Sequence, residues 1–444
     1  MKKILVLGAG MVAGAHTRYL LDQPDFHVTV ASRTLGKAQD IIRDHSKGEA
    51  RQLNVADEAA LEDLIRQSDL AVSLLPYEYH PKVAKLCVKH RKHMVTTSYV
   101  KEAMTRLDGA AKEAGVVLLN EIGVDPGIDH MTAMKVIHHV QRGGGEITSF
   151  TSYCGGLPAP EANDNPFGYK FSWSPKGVLL AGKNTAHYLK DGQEVFIPGE
   201  ELFDHHWTVP VEVEGKVIDF EGYPNRDSLP YMETYGIPTT KTMFRGTLRN
   251  VGWCPTLRKI VDLGLLDDQE RDGIADTTFA RFIADLIGST GDLKKDLAAF
   301  LEVEEDSPVI NNLEWLGLLS DDPLPLKKKG APVDILTARM LEKMQYNEGE
   351  RDMLILQHEF IAQYPDHGER ITSTMIDFGI PHGDTSMART VGLPAAIGVK
   401  MILQGEINLT GVHTPVVPEI YGLALAELGR LGIQFTERQE TLGK

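Results

Sequence analysis

The first thirteen residues combine a strand, a glycine turn and the start of a helix, and this succession constrains the fold more than any other feature. The apolar run Ile4–Leu7 leads directly into the segment GAGMVA, which fits the pattern G-x-G-x-x-A. Gly8 permits a tight turn, Gly10 lets the backbone approach a pyrophosphate at the helix N-terminus, and Ala13 allows close packing of the helix on the strand. The segment predicts nucleotide binding, and the alternative is a purely structural turn.

Residues 1–125 alternate short apolar runs with amphipathic stretches of helical periodicity. A strand–helix rhythm repeated this often predicts a parallel sheet covered on both faces, and therefore a doubly wound α/β domain. The predicted strands are Ile4–Leu7, Val28–Ala31, Arg51–Val55, Leu70–Leu75, His93–Thr97 and Val116–Asn120. The predicted helices are Ala15–Leu21, Leu35–Asp44, Glu58–Ser68, Pro81–His90 and Lys101–Ala114.

The pattern changes after this first domain. Residues 126–250 are rich in Gly, Pro and aromatic side chains and predict a mixed α/β region with long, ordered loops. Residues 251–350 are helical and charged, with Asp267–Ile287 predicted as one of the helices. Residues 352–378 predict two strands, and the chain returns to helix at Ala388–Leu403.

Composition excludes several classes of function. With 46 Lys+Arg against 62 Asp+Glu, the net charge is −16, and a surface this acidic repels nucleic acid. Three scattered cysteines form neither a disulfide framework nor a CxxC zinc motif, so we expect reduced thiols, no metal and a cytoplasmic location. No uninterrupted run of 18 apolar residues occurs, so we expect no membrane span.

The end of the second predicted strand indicates which nicotinamide cofactor is bound. An NAD site usually places an acid there to hold the ribose 2′-hydroxyl, but this chain has Ser32-Arg33-Thr34. Arg33 can pair with a 2′-phosphate, and Ser32 and Thr34 can donate hydrogen bonds, so we expect NADP. The alternative is that Arg33 is an ordinary surface arginine.

The residues expected to contact the cofactor lie in the glycine turn, at the carboxyl ends of the strands and in one later loop. They are Gly8, Gly10, Met11, Val12, Ala13, Ser32, Arg33, Thr34, Asn54, Val55, Leu75, Thr97, Ser98, Val124 and Lys176.

Six long blocks give the chain a recognisable family resemblance. They are TTSYV at 96–100, NEIGVDPGIDH at 120–130, SYCGGLPAPEANDNPFGYKFSWSPKGVLL at 152–180, YPNRDS at 223–228, RGTLR at 245–249 and EKMQYNEGERDMLILQH at 342–358. On these blocks the chain resembles the saccharopine dehydrogenases of the glutamate-forming type, also called saccharopine reductases. The resemblance covers nearly the whole chain and is weakest around 190–220 and 262–310.

The resemblance implies an activity. In this family L-2-aminoadipate 6-semialdehyde condenses with L-glutamate, and NADPH reduces the imine to saccharopine; the reverse reaction also occurs, in lysine metabolism. Two alternatives stay open: carboxynorspermidine synthase, a related reductase of polyamine biosynthesis, and a non-catalytic NADP-sensing protein on the same fold.

The resemblance also implies an architecture. It gives a homodimer and three domains: a Rossmann NADP-binding domain at 1–125 with 388–444 packing back on it, a mixed α/β substrate and dimerisation domain at 126–252 and 350–387, and a helical domain at 253–349.

A substrate with three carboxylates needs fixed cations. Arg226 in YPNRDS and Arg245 in RGTLR are the candidate anchors, because a guanidinium binds a carboxylate through two parallel hydrogen bonds. Thr247 is a further candidate donor. The alternative for each arginine is an internal salt bridge, for example between Arg226 and Asp227.

The remaining substrate candidates follow strands or flank glycines. Asp125, after the sixth strand, is a candidate for proton transfer or for binding the amine, and its alternative role is capping the next helix. Tyr99 and its neighbour Ser98 could hydrogen-bond the substrate. Cys154 precedes two glycines and is interpreted as a lining group, because hydride transfer needs no thiolate. Phe171 could wall off the nicotinamide, or belong to the core.

Overall fold

The computed structural model describes residues 1–272, 277–325 and 329–442. The chain divides into two compact units, which we call the first unit (Met1–Ile147 and Ala362–Lys444) and the second unit (Thr148–Ile361). The segment 253–349 lies inside the second unit, and residues 126–147 group with the first. The three-domain division expected from the sequence stays a prediction.

The strands are numbered in chain order. They are β1 Lys2–Leu7, β2 Phe26–Ser32, β3 Gly48–Gln52, β4 Leu70–Ser73, β5 His93–Thr96, β6 Val117–Leu119, β7 Glu146–Pro158, β8 Ala186–Lys190, β9 Gln193–Ile197, β10 Trp207–Val213, β11 Lys216–Pro224, β12 Thr242–Asn250, β13 Arg271–Asp272, β14 Lys329–Gly330, β15 Asp352–Gln363, β16 Gly368–Phe378, β17 Gly411–His413 and β18 Thr436–Leu442.

The helices are numbered in the same way. They are α1 Ala13–Asp22, α2 Leu35–Ile42, α3 Glu58–Gln67, α4 His80–Lys89, α5 Glu102–Thr105, α6 Asp108–Ala114, α7 Ile128–Arg142, α8 Pro175–Ala181, α9 Pro230–Thr234, α10 Trp253–Asp262, α11 Phe279–Ile287, α12 Leu293–Phe300, α13 Pro308–Leu316, α14 Pro332–Lys343, α15 Ser386–Leu403 and α16 Pro418–Arg430.

The first unit is built on a seven-stranded sheet in the order β17-β6-β5-β4-β1-β2-β3. Every neighbouring pair in it is parallel. Six of these strands have the order 3-2-1-4-5-6 of the doubly wound dinucleotide-binding fold, so the predicted fold class is confirmed. Because all strands are parallel, their carboxyl ends meet at one edge, where such folds bind ligands.

Two local predictions in this unit differ from the structure. The third strand is Gly48–Gln52 rather than Arg51–Val55, because Gly48 pairs with Val28 and Gln52 with Ser32. The single helix expected over Lys101–Ala114 is divided into the short helices α5 and α6.

Helix α15 packs against α1, the helix that follows the glycine turn. A Cβ at Gly392 of α15 would lie 2.8 Å from the carbonyl oxygen of Val12, so only glycine permits this approach. The Gly392 carbonyl oxygen lies 3.1 Å from Nδ1 of His16, whose pKa is lowered to about 4 by burial. By length and composition α15 could cross a membrane, with mean hydropathy 1.2, but 78% of it is buried inside the protein.

The second unit is built on a mixed sheet. Strands follow the order β10-β11-β12-β7-β15, and β8 pairs with both β12 and β9. The central pair, β12 and β7, is parallel and aligns Thr247 with Cys154. A Cβ at Gly155 would lie 2.8 Å from Leu248, so glycine lets the two strands approach closely here. The helices α10–α14 follow in sequence; of the predicted helix Asp267–Ile287, only Phe279–Ile287 is helical, and residues 273–276 lie outside the described residues.

Candidate active site

The glycine turn at the end of β1 has the geometry expected for binding a pyrophosphate. Gly8 has a φ of +114°, and a Cβ there would lie 2.9 Å from the carbonyl oxygen of Leu74. A Cβ at Gly10 would instead meet no heavy atom of the described residues within 4 Å, its chain neighbours aside. Helix α1 begins just after Val12 with a fully buried Ala13. The open space at Gly10 therefore lies beside a helix N-terminus, which favours an anionic group.

The end of β2 presents an exposed cation. The backbone N–H of Thr34 donates to Ser32 Oγ (3.3 Å), and the Gln52 side chain donates to the carbonyl oxygen of Arg33 (3.1 Å). The Arg33 side chain is exposed and forms no ion pair within the described part of the chain. Its guanidinium is therefore exposed where a phosphate could reach it, and its contact with the 2′-phosphate stays a prediction.

The other predicted cofactor residues of this unit follow the strands. Asn54 is exposed after β3, and Val55 and Leu75 pack their partly buried side chains against the hydrophobic core of the unit. Thr97 follows β5, and a Cβ at Gly123 would lie 3.2 Å from its Cβ; Val124 is buried in the loop after β6. All five residues therefore lie beyond the carboxyl ends of parallel strands.

A buried histidine that the sequence analysis missed connects the ends of β4 and β5. The two ring nitrogens of His80 each lie 2.8 Å from a serine hydroxyl: Nδ1 from Ser73 Oγ, and Nε2 from Ser98 Oγ. The hydroxyl of Thr96 donates to the carbonyl oxygen of Ser73 (2.9 Å). Burial lowers the pKa of His80 to about 4, so its ring is neutral near pH 7.

A second set of contacts brings the two predicted catalytic residues together. The Tyr99 hydroxyl donates to Asp125 Oδ1 at 2.7 Å. The loops that carry them are joined by Glu121, whose Oε1 accepts from the backbone N–H of Val100 (2.7 Å) and whose own N–H donates to the carbonyl oxygen of Ser98 (3.2 Å). The phenol and the carboxylate are thereby held at the carboxyl edge of the sheet.

The alternative role of Asp125 as a helix cap is not what the structure shows. The N-cap of α7 is Gly127, without a side-chain capping hydrogen bond. The carboxylate that serves this helix start is Asp129, whose Oδ1 accepts from the backbone N–H of Gly127 at 2.5 Å. Asp125 is half-buried and paired with Tyr99 instead.

In the second unit, the two predicted arginine anchors leave adjacent strands. Arg245 lies in β12 with 5% exposure, and its guanidinium carbon lies 4.4 Å from the centre of the Tyr231 ring. Arg226 follows β11 with an exposed side chain and a φ of +58°, and its carbonyl oxygen accepts from the N–H of His187 (2.9 Å). The register aligns Pro224 of β11 with Gly246 of β12, so the two arginines are close in the sheet.

A third arginine, Arg249, was missed by the sequence analysis although it ends the RGTLR block. It is 6% exposed, and its Nη1 donates to the carbonyl oxygen of Leu248 (2.8 Å). Its guanidinium carbon lies 5.0 Å from the ring centre of Tyr169 and 5.5 Å from that of Trp253. Its Nε is buried without a hydrogen-bond partner, and no carboxylate of the described residues pairs with it.

The carboxylate opposite Arg249 in the sheet accepts two backbone hydrogen bonds. Glu221 faces Arg249 in the β11–β12 register, but its two oxygens accept from the backbone N–H groups of Gly252 (2.8 Å) and Cys254 (2.7 Å) at the start of α10. Arg249 is a buried cation that forms no ion pair with a carboxylate of the residues that the structure describes. Such a group is costly in isolation and indicates that an external anion completes it.

The remaining predicted residues of this unit lie in different surroundings. Cys154 is half-buried and aligned with Thr247 across the β7–β12 pair. Phe171 is 3% exposed and packs edge-to-face on Tyr169 at 5.3 Å, as in an ordinary core. Lys176 is ion-paired with Asp334 at 2.6 Å.

Two family models together match most of the chain. The family model described as "Saccharopine dehydrogenase NADP binding domain" matches residues 4–119, and "Saccharopine dehydrogenase C-terminal domain" matches residues 123–433. The chain belongs to the saccharopine dehydrogenase family. The resemblance found in the sequence is thus confirmed.

Individual members of the saccharopine dehydrogenase family are similar over nearly the whole of this chain. "Saccharopine dehydrogenase [NADP(+), L-glutamate-forming]" of Schizosaccharomyces pombe is 43% identical, and the match covers 98% of this chain and 99% of that protein. The solved structure of "Apo histidine-tagged saccharopine dehydrogenase (L-Glu forming)" from Saccharomyces cerevisiae has a TM-score of 0.89 and 39% identity over both whole chains. "Alpha-aminoadipic semialdehyde synthase, mitochondrial" of Bos taurus is 38% identical over 98% of this chain and 47% of its own length.

The saccharopine dehydrogenase family match confirms the predicted cofactor, because its NADP binding domain spans β1 to β6. The residues present fit that cofactor. Gly10 leaves open space beside the N-terminus of α1 for the pyrophosphate, and Arg33 is an exposed cation at the end of β2 for the 2′-phosphate.

Arg33→Asp is expected to remove the preference for NADPH over NADH. The substitution exchanges a guanidinium that pairs with the 2′-phosphate for a carboxylate that repels it, and a charge-assisted contact of about 1.5–3 kcal/mol corresponds to roughly ten- to a hundredfold in affinity. Fluorescence titration with both nucleotides measures the ratio. Lys37→Asp, in the first turn of α2, is the charge-matched control. Equal wild-type affinity for NADH and NADPH would show that Arg33 does not bind the 2′-phosphate.

Cys154→Ser is expected to keep kcat/KM within about tenfold of wild type. A lining thiol contributes contact only, whereas a group that transfers a proton contributes about a hundred- to ten-thousandfold. The measurement is steady-state turnover together with a melting curve. An inactive Cys154→Ser protein of normal stability would contradict the lining role.

Proposed function

We propose that this chain is an NADP-dependent oxidoreductase that interconverts saccharopine with L-glutamate and L-2-aminoadipate 6-semialdehyde. The observation that carries the proposal is the set of three arginines on β12 and the loop after β11: Arg226, Arg245 and Arg249, the last without an ion-pair partner among the described residues. Saccharopine has three carboxylates, and planar guanidinium groups bind carboxylates better than any other side chain. The similar proteins that carry this name support the assignment.

The first unit supplies the chemical groups of the reaction. NADP(H), when bound, supplies or accepts the hydride. Before a hydride can leave the carbon of a secondary amine, the protonated nitrogen must lose its proton. Asp125, held by the hydroxyl of Tyr99, is a carboxylate suited to accept that proton and to return it in the opposite direction. Tyr99 orients Asp125 through its hydroxyl.

The two alternative functions are less well supported. A carboxynorspermidine synthase acts on a diamine, and its product has fewer carboxylates and more amines, so it would favour acids where this chain has Arg226, Arg245 and Arg249. A non-catalytic NADP sensor needs no acid–base pair, whereas Tyr99 and Asp125 form one at 2.7 Å. The arginines and the Tyr99–Asp125 pair therefore both favour the saccharopine reaction.

A homodimer in the cytoplasm is part of the same proposal. All three cysteines are free thiols, and two of them, Cys87 and Cys254, are buried, which fits a reducing compartment. The dimer is proposed from the family resemblance. Light scattering of the purified protein measures its mass, and a monomer at working concentration would contradict this part.

The reaction is tested in the oxidative direction with purified protein. Saccharopine is expected to drive NADP⁺ reduction, followed by NADPH absorbance, and glutamate is expected to accumulate in a one-to-one ratio with NADPH. Carboxynorspermidine and saccharopine-free controls are expected to give no signal. Absence of saccharopine-dependent reduction in a folded, NADPH-binding protein would overturn the proposal.

A further inference from the structure

His80 occupies an unusual position for a side chain that the proposed mechanism does not use. It is 3% exposed, at the start of α4, and its two ring nitrogens contact hydroxyls that follow two different strands. Ser73 ends β4 and is fully buried, whereas Ser98 lies two residues after β5 and is half-buried. Ser98 also directly precedes Tyr99. The ring thus connects the protein interior to the residues at the ligand-binding edge.

The hydrogen-bond partners of the ring indicate where its proton sits. A neutral imidazole has one N–H donor and one acceptor nitrogen. With the proton on Nε2, the ring donates to Ser98 Oγ while Nδ1 accepts the hydroxyl hydrogen of Ser73. With the proton on Nδ1, the buried Ser73 hydroxyl would lack an acceptor, because its oxygen contacts only His80 among the described residues.

Thr96 favours the same tautomer. Its hydroxyl hydrogen is donated to the carbonyl oxygen of Ser73 (2.9 Å), so its oxygen presents lone pairs to Nε2 of His80, 3.4 Å away. An N–H at Nε2 is attracted to those lone pairs, whereas a lone pair there is repelled.

The consequence concerns Ser98. When its oxygen accepts the N–H of His80, its own hydrogen is left to donate, and no acceptor for it is found among the described residues. We propose that His80 is a positioning residue that is protonated on Nε2 and fixes the Ser98 hydroxyl as a hydrogen-bond donor to a ligand oxygen. The expectation that a ligand binds next to Ser98 rests on the proposed function. The oxygen belongs either to a substrate carboxylate or to the cofactor, and the experiment distinguishes the two.

The tautomer is measured directly by NMR with nitrogen-15-labelled histidine, with His80→Gln spectra to assign the signal. We expect a neutral ring with the proton on Nε2 in the free protein between about pH 6 and 8, the interval in which an exposed histidine would titrate. A proton on Nδ1, or a charged ring in this range, would overturn the proposal. This readout needs no substrate, so it stands even if the protein does not turn over saccharopine.

A double-mutant cycle then tests whether His80 acts through Ser98. His80→Met is expected to weaken the affected ligand by about ten- to a hundredfold, as for loss of a fixed donor, and to have almost no further effect in a Ser98→Ala background. A change in NADPH affinity assigns the ligand oxygen to the cofactor, and a change in KM alone assigns it to the substrate. Additive effects of the two substitutions would overturn the proposal.

Two further variants complete the design. His80→Gln retains an N–H near the position of Nε2 and is expected to recover part of the loss seen in His80→Met. His90→Gln is the matched control, because His90 caps the opposite end of α4 and contacts Glu62 at 2.7 Å on another surface. If His80→Met does not fold, Ser73→Ala serves in its place, with loss of the single Nε2 tautomer expected. An unchanged tautomer in Ser73→Ala would contradict the role of Ser73 in placing the proton.

Discussion

Asp125→Asn is expected to lower kcat/KM for saccharopine by about a hundred- to ten-thousandfold, the range for loss of general acid–base help. The amide keeps the shape of the carboxylate and can still accept a hydrogen bond from Tyr99, but it cannot take a proton from the substrate amine. NADPH affinity and melting temperature are expected to stay at wild-type values, because the start of α7 is served by Asp129 rather than Asp125.

The controls for Asp125→Asn separate chemistry from position. Tyr99→Phe leaves the carboxylate but removes the hydroxyl that donates to it, so we expect a smaller loss, of about tenfold. A fully active Asp125→Asn protein would contradict the role of Asp125 in proton transfer.

Arg249→Met is expected to raise KM for saccharopine by about thirty- to a thousandfold, because it removes a buried cation that pairs with a carboxylate; such losses are typically about 2–4 kcal/mol. The same substitution is expected to leave the free protein at least as stable as wild type. A buried, unpaired guanidinium is costly to the folded state, and an apolar side chain of similar length relieves that cost.

The prediction is specific because the same substitution is expected to weaken substrate binding without lowering the stability of the free protein. If Arg249 were a structural residue held by Tyr169 and Trp253, Arg249→Met would lower the melting temperature and affect substrate binding only through unfolding. Arg258→Met is the control, since Arg258 of α10 is ion-paired with Asp204 (2.7 Å) and its loss is expected to change neither parameter of catalysis. Saturation with glutamate and saccharopine measures KM, and calorimetry measures stability.

The parallel sheet of the first unit and its glycine turn were predictable because the signals are local. A strand, a glycine with positive φ and a helix follow one another within residues 2–22, and each has its own sequence pattern. The register of β3 was not predictable, since Arg51–Val55 is at least as apolar as Gly48–Gln52. The observed pairing with β2 starts at Gly48, opposite Val28.

The long strand β7 was missed for a different reason. Its end, Cys154-Gly155-Gly156-Leu157-Pro158, has the composition of a loop, because glycine and proline are depleted in strands. The structure shows that Gly155 permits close approach to Leu248 of β12, which is a long-range contact. Such a requirement leaves no mark on the local sequence.

The site was predictable residue by residue only where a side chain has an obvious chemical purpose. Charge and position in a motif point to Arg226, Arg245 and Asp125. They do not point to Arg249, because an arginine in a sequence does not reveal whether a carboxylate pairs with it. Only the three-dimensional structure shows that Arg249 is buried and that no carboxylate of the described residues forms an ion pair with it. His80 was missed because its two partners are 7 and 18 residues away in the chain.

The most direct test of the proposed reaction is NADPH oxidation by the purified protein with each pair of semialdehyde and amine. NADPH oxidation is expected with L-2-aminoadipate 6-semialdehyde and L-glutamate, and its rate should saturate with both substrates. This rate is expected to exceed the rate with aspartate semialdehyde and a diamine by about a hundredfold or more. Buried polar groups left without a partner discriminate against a wrong ligand on that scale. Saccharopine should be the product by mass spectrometry. Faster oxidation with the diamine pair, or none with either pair in a protein that binds NADPH, would contradict the assignment.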